Sequence, residues 1–136
     1  MRFSLKLALL AAMAAGVVYL GNANAADEAK LREIKGCMAF QNKVRGDLGK
    51  QVKAKEVNWE GIQKQTDEWL KVAEDLGKNK PPKGDEASWK EQTTKYMTNV
   101  KAVDSAADKK DADAFTKALA TIGASCGGCH GKHKPK

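Results

Sequence analysis

The sequence predicts an all-α protein with the fold of an antiparallel four-helix bundle. Beyond the N-terminal region, apolar residues recur at three- and four-residue steps, which places them on one face of a helix. Alternating apolar and polar residues, the pattern of a half-buried strand, do not continue over a useful length. Four such helical segments, joined by short polar stretches, match the helix number and loop lengths of a bundle.

The first two helices are predicted over residues 27–48 and 58–77. Gly49 is the expected end of the first helix, because glycine commonly follows the last helical turn. Asn58 is a favourable N-cap residue for the second helix, which we expect to end at Gly77. The predicted apolar faces of these helices contain Leu31, Ile34, Met38, Leu48, Ile62, Trp69, Ala73 and Leu76.

The third and fourth helices follow a loop that contains prolines and Gly84, residues that do not continue a helix. The third helix is predicted to start within residues 85–88. The fourth begins near Asp111 and Asp113, acids that suit a helix N-terminus, and continues through Cys126. Their predicted apolar faces contain Trp89, Thr93, Tyr96, Val100, Val103, Ala107, Phe115, Ala118 or Leu119, and Ile122.

The N-terminal 25 residues have the pattern of a secretory signal peptide. Arg2 and Lys6 precede an apolar run over residues 7–20, and an A-x-A cleavage site ends at Ala25. The run is shorter than the roughly 20 residues that a membrane span needs, which disfavours an uncleaved anchor helix. Cleavage after Ala25 would leave one domain, residues 26–136, without a membrane span.

Residues 126–130 read Cys-Gly-Gly-Cys-His, the C-x-x-C-H signature of c-type haem attachment. The thiols of Cys126 and Cys129 can add to the two vinyl groups of one haem, and His130 can serve as an axial ligand of its iron. Cys126 and His130 are four residues apart and share one helix face. The sequence therefore predicts one covalently attached haem c near the end of the fourth helix. Such attachment takes place outside the bacterial inner membrane, which agrees with export to the periplasm.

Other interpretations of this segment are less favoured. A zinc-stapled structural module could use Cys126, Cys129, His130 and His133, but a site made wholly from one terminal segment would tie nothing else together. A thioredoxin-like redox pair is expected after a strand, in an α/β fold. An enzyme is not predicted, because the sequence shows no carboxylate pair, nucleophile–base arrangement or Gly-rich phosphate loop.

Two methionines of the mature chain, Met38 and Met97, are candidates for the distal iron ligand. A His/Met pair is a common choice for electron carriers and raises the redox potential. Met38 lies on the apolar stripe of the first helix and is the better candidate, although filling the core is the ordinary role of such a residue. His133 can hardly reach the opposite haem face, and we expect it in solvent or against a haem propionate.

The chain resembles the class II cytochromes c, the cytochrome c′ family, over essentially the whole mature sequence. The resemblance is strongest at residues 122–130, with further similarity at 88–89 and 106–108. In that family the residue over the distal haem face precedes a glycine of the first helix by about eight positions, which here implies Met38 before Gly46. Members with Met at that place are six-coordinate, low-spin electron carriers, whereas those with a small or aliphatic residue are five-coordinate and bind gases.

Motif and resemblance together predict a periplasmic monohaem c-type cytochrome that carries single electrons between redox partners. A five-coordinate protein that binds NO or CO is the alternative.

The mature chain carries 22 basic and 17 acidic residues, which suits docking to an acidic partner. Lys132, Lys134 and Lys136 either guide that docking or form a solvated tail. The lysines are not interleaved with aromatics, so nucleic acid is not an expected partner. Class II bundles often dimerise, which leaves a homodimer open.

The third cysteine, Cys37, lies next to Met38 but points about 100° away around the helix. A small, buried, apolar role is the expectation for it. An intermolecular disulfide between two first helices and a regulatory or ligating thiol remain alternatives.

Overall fold

The computed structural model describes residues 31–136, so the predicted signal peptide lies outside the described residues. Within them the chain forms four helices and no strand: α1 (Ile34–Gln51), α2 (Trp59–Lys78), α3 (Glu86–Asp108) and α4 (Ala112–His133). Consecutive helices pack on one another, most extensively α2 with α3 and α3 with α4, whereas α1 and α4 touch only sparsely. The all-α four-helix bundle is confirmed. None of the described helices is long and apolar enough to cross a membrane.

The second helix starts at its predicted cap residue, Asn58, and α3 and α4 start within the regions that the sequence predicts. The side chains of Asn58, Asp85 and Asp111 each accept a hydrogen bond from the backbone N–H three residues on, at 2.9, 2.7 and 2.9 Å. Each bond satisfies one of the first amides of its helix, which lack an intrahelical partner. Local sequence therefore sets where α2, α3 and α4 begin.

The start of α1 differs from the prediction. Residues 31–33 are not helical, and α1 begins at Ile34. The backbone N–H of Arg32 donates to the carboxylate of Asp75 at 3.3 Å, and its carbonyl accepts from the side-chain amide of Asn79 at 2.9 Å. These bonds to α2 and to the residue after it use backbone groups that a longer α1 would need.

Two further details of the predicted first helix are wrong. Leu31 is 40% exposed and does not belong to the apolar stripe. Gly49 does not end the helix, which continues to Gln51. The side-chain amide of Gln51 exchanges two hydrogen bonds with Gln65 on α2, at 3.2 and 2.9 Å, and this contact holds the last turn of α1.

The core of the bundle consists of two clusters. The larger one draws buried residues from all four helices and includes Trp69 and Phe115, both fully buried. The smaller one lies beside the C-x-x-C-H segment and joins Cys37, on α1, to Trp89, on α3. Partly buried residues that pack against the smaller cluster are Ile34, Met38, Phe40, Tyr96 and Cys129.

Candidate haem site

The three residues of the C-x-x-C-H signature that carry chemistry lie in the last turns of α4. Cys126 and Cys129 are half-buried, and His130 is exposed. Because α4 remains helical to His133, Cys126 and His130 stand one turn apart on the same side. Burial, and secondarily the neighbouring Cys126, raises the pKa of the Cys129 thiol. The segment thus presents two thiols and an imidazole in one direction.

A cleft of about 230 Å³ opens beside this segment, between α1, α3 and α4. Its walls are mostly apolar, and they include all four residues predicted to hold the haem. The residues most relevant to its chemistry are Met38, Gln41, Tyr96, Cys126, Cys129 and His130.

A second cleft, also about 230 Å³ and mostly apolar, is lined by Ile34 and Trp89. It shares Met38, Cys129 and His130 with the first cleft, so the two spaces meet at these three residues. Apolar space therefore lies on both sides of the thiol, imidazole and thioether groups. This arrangement suits a flat, largely apolar ring with a metal at its centre. The residues present therefore fit a covalently held haem.

The structure separates the two candidate methionines. Met38, half-buried on α1, lines both clefts. Met97, half-buried on α3, packs against the larger core cluster and lines neither of these two clefts. Met97 thus packs against the core, and Met38 is the methionine that shares both clefts with the C-x-x-C-H segment.

Tyr96 contributes a neutral wall to the first cleft. Its hydroxyl accepts a hydrogen bond of 2.6 Å from the indole N–H of Trp69, in the larger core cluster. Burial raises the pKa of Tyr96 well above its ordinary value, so the phenol stays protonated at neutral pH. The bond anchors the tyrosine to the core and leaves its uncharged ring against the cleft.

His133 is placed differently from the prediction, which expected it in solvent or on a propionate. It is only 2% exposed. Its Nδ1 lies 2.7 Å from the carbonyl oxygen of Lys83, its Nε2 lies 3.1 Å from Oγ of Ser88, and its ring packs edge-on against Trp89. Sequence reasoning missed this role. The one local signal is Gly84, whose φ of 79° and close approach to the imidazole leave little room for a Cβ.

These contacts also bear on the zinc alternative. Both ring nitrogens of His133 have protein partners, and within residues 31–136 no three His, Cys, Asp or Glu side chains are placed to hold a metal ion. The zinc-stapled arrangement is therefore not formed in the described chain.

Cys37 occupies the buried position that was expected of it. It is 1% exposed in the smaller cluster, and its thiol lies 3.5 Å from the carbonyl oxygen of Arg32. Burial, followed by the nearby carboxylate of Asp75, raises the pKa of this thiol and keeps it protonated. Such a thiol presents no surface for an intermolecular disulfide.

A C-x-x-C-H signature at the end of a four-helix bundle, with a methionine across the cleft, is the arrangement of a c-type cytochrome. Residues 83–134 match the family model described as Cytochrome C′, and the match spans α3, α4 and the C-x-x-C-H signature. Over these residues the chain is similar to the class II c-type cytochromes of the cytochrome c′ family. That family carries covalently bound haem c, and Cys126 and Cys129 are present in the matched segment. No curated protein and no solved structure matches the chain.

Proposed function

We propose that the protein is a periplasmic monohaem cytochrome that carries single electrons between redox partners. Cys126 and Cys129 hold the haem, His130 is the proximal ligand of its iron, and Met38 is the distal ligand. The observation that carries this proposal is that Met38, on α1, lines the same two clefts as Cys129 and His130, on α4. When bound, the haem supplies a one-electron couple, whose potential a methionine ligand raises.

The side chains around the clefts serve this function in two ways. They occupy the position of an external iron ligand, and they limit the access of water to the haem. The thioether of Met38 takes the position that an external gas would need, which favours electron transfer over gas binding. The mostly apolar walls limit the access of water, and the neutral phenol of Tyr96 adds no charge. A drier environment also strengthens the influence of every ligand on the redox potential.

The charge distribution near the clefts supports docking to an acidic partner. Lys134 lines the second cleft, and Lys132 and Lys136 are exposed on the adjoining terminal segment. Lys95 lines the first cleft, but its charge is paired with Glu91. Positive charge around the haem edge would steer a negatively charged redox protein towards it and raise the encounter rate at low ionic strength. Export through the predicted signal peptide would place this encounter in the periplasm.

The decisive experiment is spectroscopy of the holoprotein and of Met38→Ala. We expect the ferric wild-type protein to show a Met-to-iron charge-transfer band near the red end of the spectrum, and the ferrous protein to remain unchanged under carbon monoxide. Met38→Ala should lose the band and bind carbon monoxide in the ferrous state. Met97→Ala is the matched control, because it removes a half-buried methionine from the core without touching either cleft.

Two results would contradict the proposal. Immediate carbonyl formation by the ferrous wild-type protein would identify the alternative, a five-coordinate gas-binding cytochrome. A spectrum of Met38→Ala identical to that of the wild type would show that Met38 is not the distal ligand.

A further inference from the structure

Gln41 lies one turn after Met38 on α1, and the two side chains touch. The side-chain nitrogen Nε2 of Gln41 donates a hydrogen bond to Sδ of Met38, at 2.9 Å. Residues three apart on a helix are neighbours on its surface, so this contact follows from the backbone of α1. A thioether sulfur can only accept, so the nitrogen of the amide, rather than its oxygen, must face Met38.

The burial of Gln41 is unusual for its residue type. Only 7% of the residue is exposed, although glutamine is mostly found at protein surfaces. It lines the first cleft with Met38, and on its other side a small void with Trp69 and Ile122. A buried amide lowers stability unless it is hydrogen-bonded, and an apolar side chain would suit the contact with Trp69 and Ile122 better. The hydrogen bond to the sulfur of Met38 provides the partner that the buried amide of Gln41 needs.

We propose that Gln41 is a positioning residue for Met38, which holds its thioether towards the cleft and tunes the redox potential of the iron. This inference rests on the proposed function, in which Met38 is the distal ligand. A thioether sulfur has two lone pairs, so a hydrogen bond to one leaves the other free to face the metal. Methionine is otherwise flexible about three bonds, and the amide of Gln41 restricts that freedom.

The bond from Gln41 also determines the direction of the redox effect. A hydrogen bond to the sulfur withdraws electron density from it and weakens its donation to iron. The ferric state needs that donation more than the ferrous state, so the bond favours the reduced form and raises the potential. Groups that hydrogen-bond to metal ligands act in this way, by orienting the ligand and adjusting its donor strength.

Gln92 provides a matched control. It lies on α3 and lines the same cleft as Gln41, but in the described chain it makes no hydrogen bond to Met38. Replacing Gln92 by leucine removes an amide from the cleft and leaves the sulfur contact intact. It therefore measures the effect of cleft polarity alone.

The test compares the reduction potential and the Met-to-iron charge-transfer band of holoprotein variants. Gln41→Leu should lower the potential, with the reduction equilibrium less favourable by about twofold to tenfold, the latter being about 59 mV for one electron. Its band should shift or weaken. Gln41→Asn keeps an amide that is one carbon too short to reach the sulfur, and should change both readouts in the same direction. Gln92→Leu should leave the band in place and change the equilibrium by less than twofold.

The outcomes separate this inference from the proposed function. If Met38→Ala loses the band while both Gln41 variants keep the wild-type band and potential, Met38 is the ligand and the role of Gln41 is refuted. An equal shift in Gln92→Leu would also refute it, because cleft polarity would then explain the effect. If Met38→Ala keeps the wild-type spectrum, the assignment of Met38 as ligand and the role of Gln41 are both refuted. Should Gln41→Leu fail to fold, Gln41→Asn carries the comparison.

Discussion

The imidazole of His133 connects the end of α4, the α2–α3 loop and the start of α3. The carbonyl of Lys83 can only accept, so Nδ1 of His133 must carry the proton in their 2.7 Å contact. In the neutral tautomer, Nε2 then accepts from the hydroxyl of Ser88. These bonds, together with the contact to Trp89, fix the segment that directly follows His130.

Replacing this histidine should lower the stability of the bundle. His133→Ala removes the buried imidazole, and with it the hydrogen bond to the carbonyl of Lys83 and the edge contact to Trp89. We expect the free energy of unfolding of the holoprotein to fall by about 1–3 kcal/mol, measured by urea denaturation. The control is Lys132→Ala, an exposed neighbour on the same turn, which should change it by less than about 0.5 kcal/mol. Equal effects of the two variants would contradict the role assigned to His133.

His133 and Gln41 mark what the sequence could not predict at the level of single residues. The partners of His133 are 45 and 50 positions away in the chain, so no local pattern connects them. Gln41 touches Met38 one turn away, yet it is buried beside a void that Trp69 and Ile122, from two other helices, also line. Their roles arise from tertiary packing. In contrast, one short signature contains Cys126, Cys129 and His130. Its chemistry can be predicted from the sequence without knowledge of the fold.

At the level of helices, the predictable features are those set by nearby residues. The cap residue and the amide it binds are three positions apart, so the helix starts near Asn58, Asp85 and Asp111 could be predicted from the sequence. The N-cap position of α1 is Glu33, whose side chain makes no capping hydrogen bond to the described residues. The start of α1 is instead fixed by the bonds of Arg32 to distant residues, and the sequence prediction failed there.

The cap of α2 can be tested directly. Asn58→Ala leaves the amide of Gly61 without its 2.9 Å partner. It should lower the free energy of unfolding by about 1 kcal/mol, measured by urea denaturation of the holoprotein. Asn58→Asp is the matched control, because aspartate caps as well as asparagine, and we expect it to stay within about 0.5 kcal/mol of the wild type. A loss of the same size in Asn58→Asp would show that the cap is not the stabilising feature.

At the level of the whole molecule, the bundle could be predicted but the shape of its cleft could not. Apolar periodicity determines which helix faces turn inwards, and four such faces make a bundle. The cleft depends on how closely the helices approach. α1 meets α4 only sparsely, and the space beside the C-x-x-C-H segment stays open between α1, α3 and α4. From the sequence, that space could be inferred only through the haem signature.

The open cleft predicts that the folded state depends on haem. Two mostly apolar clefts of about 230 Å³ each border the C-x-x-C-H segment, and a haem bound there would bury their apolar walls. A covalent tether keeps the haem at an effective concentration of about millimolar. A ligand that binds only the folded state adds about 2.7 kcal/mol when its concentration is about 100 times its dissociation constant, and we take this value for the tethered haem.

For a domain of this size, that free energy raises the melting temperature by roughly 10–20 °C. The measurement is thermal unfolding, followed by far-ultraviolet circular dichroism, of the holoprotein and of the same chain produced without haem attachment. Cys126→Ser with Cys129→Ser gives a second apoprotein, in which no thiol can react with haem. Cys37→Ser in the holoprotein serves as the control for loss of a thiol outside the clefts. If apo and holo forms melt at the same temperature, the clefts are not an unfilled part of the core, because filling them would then contribute nothing to stability.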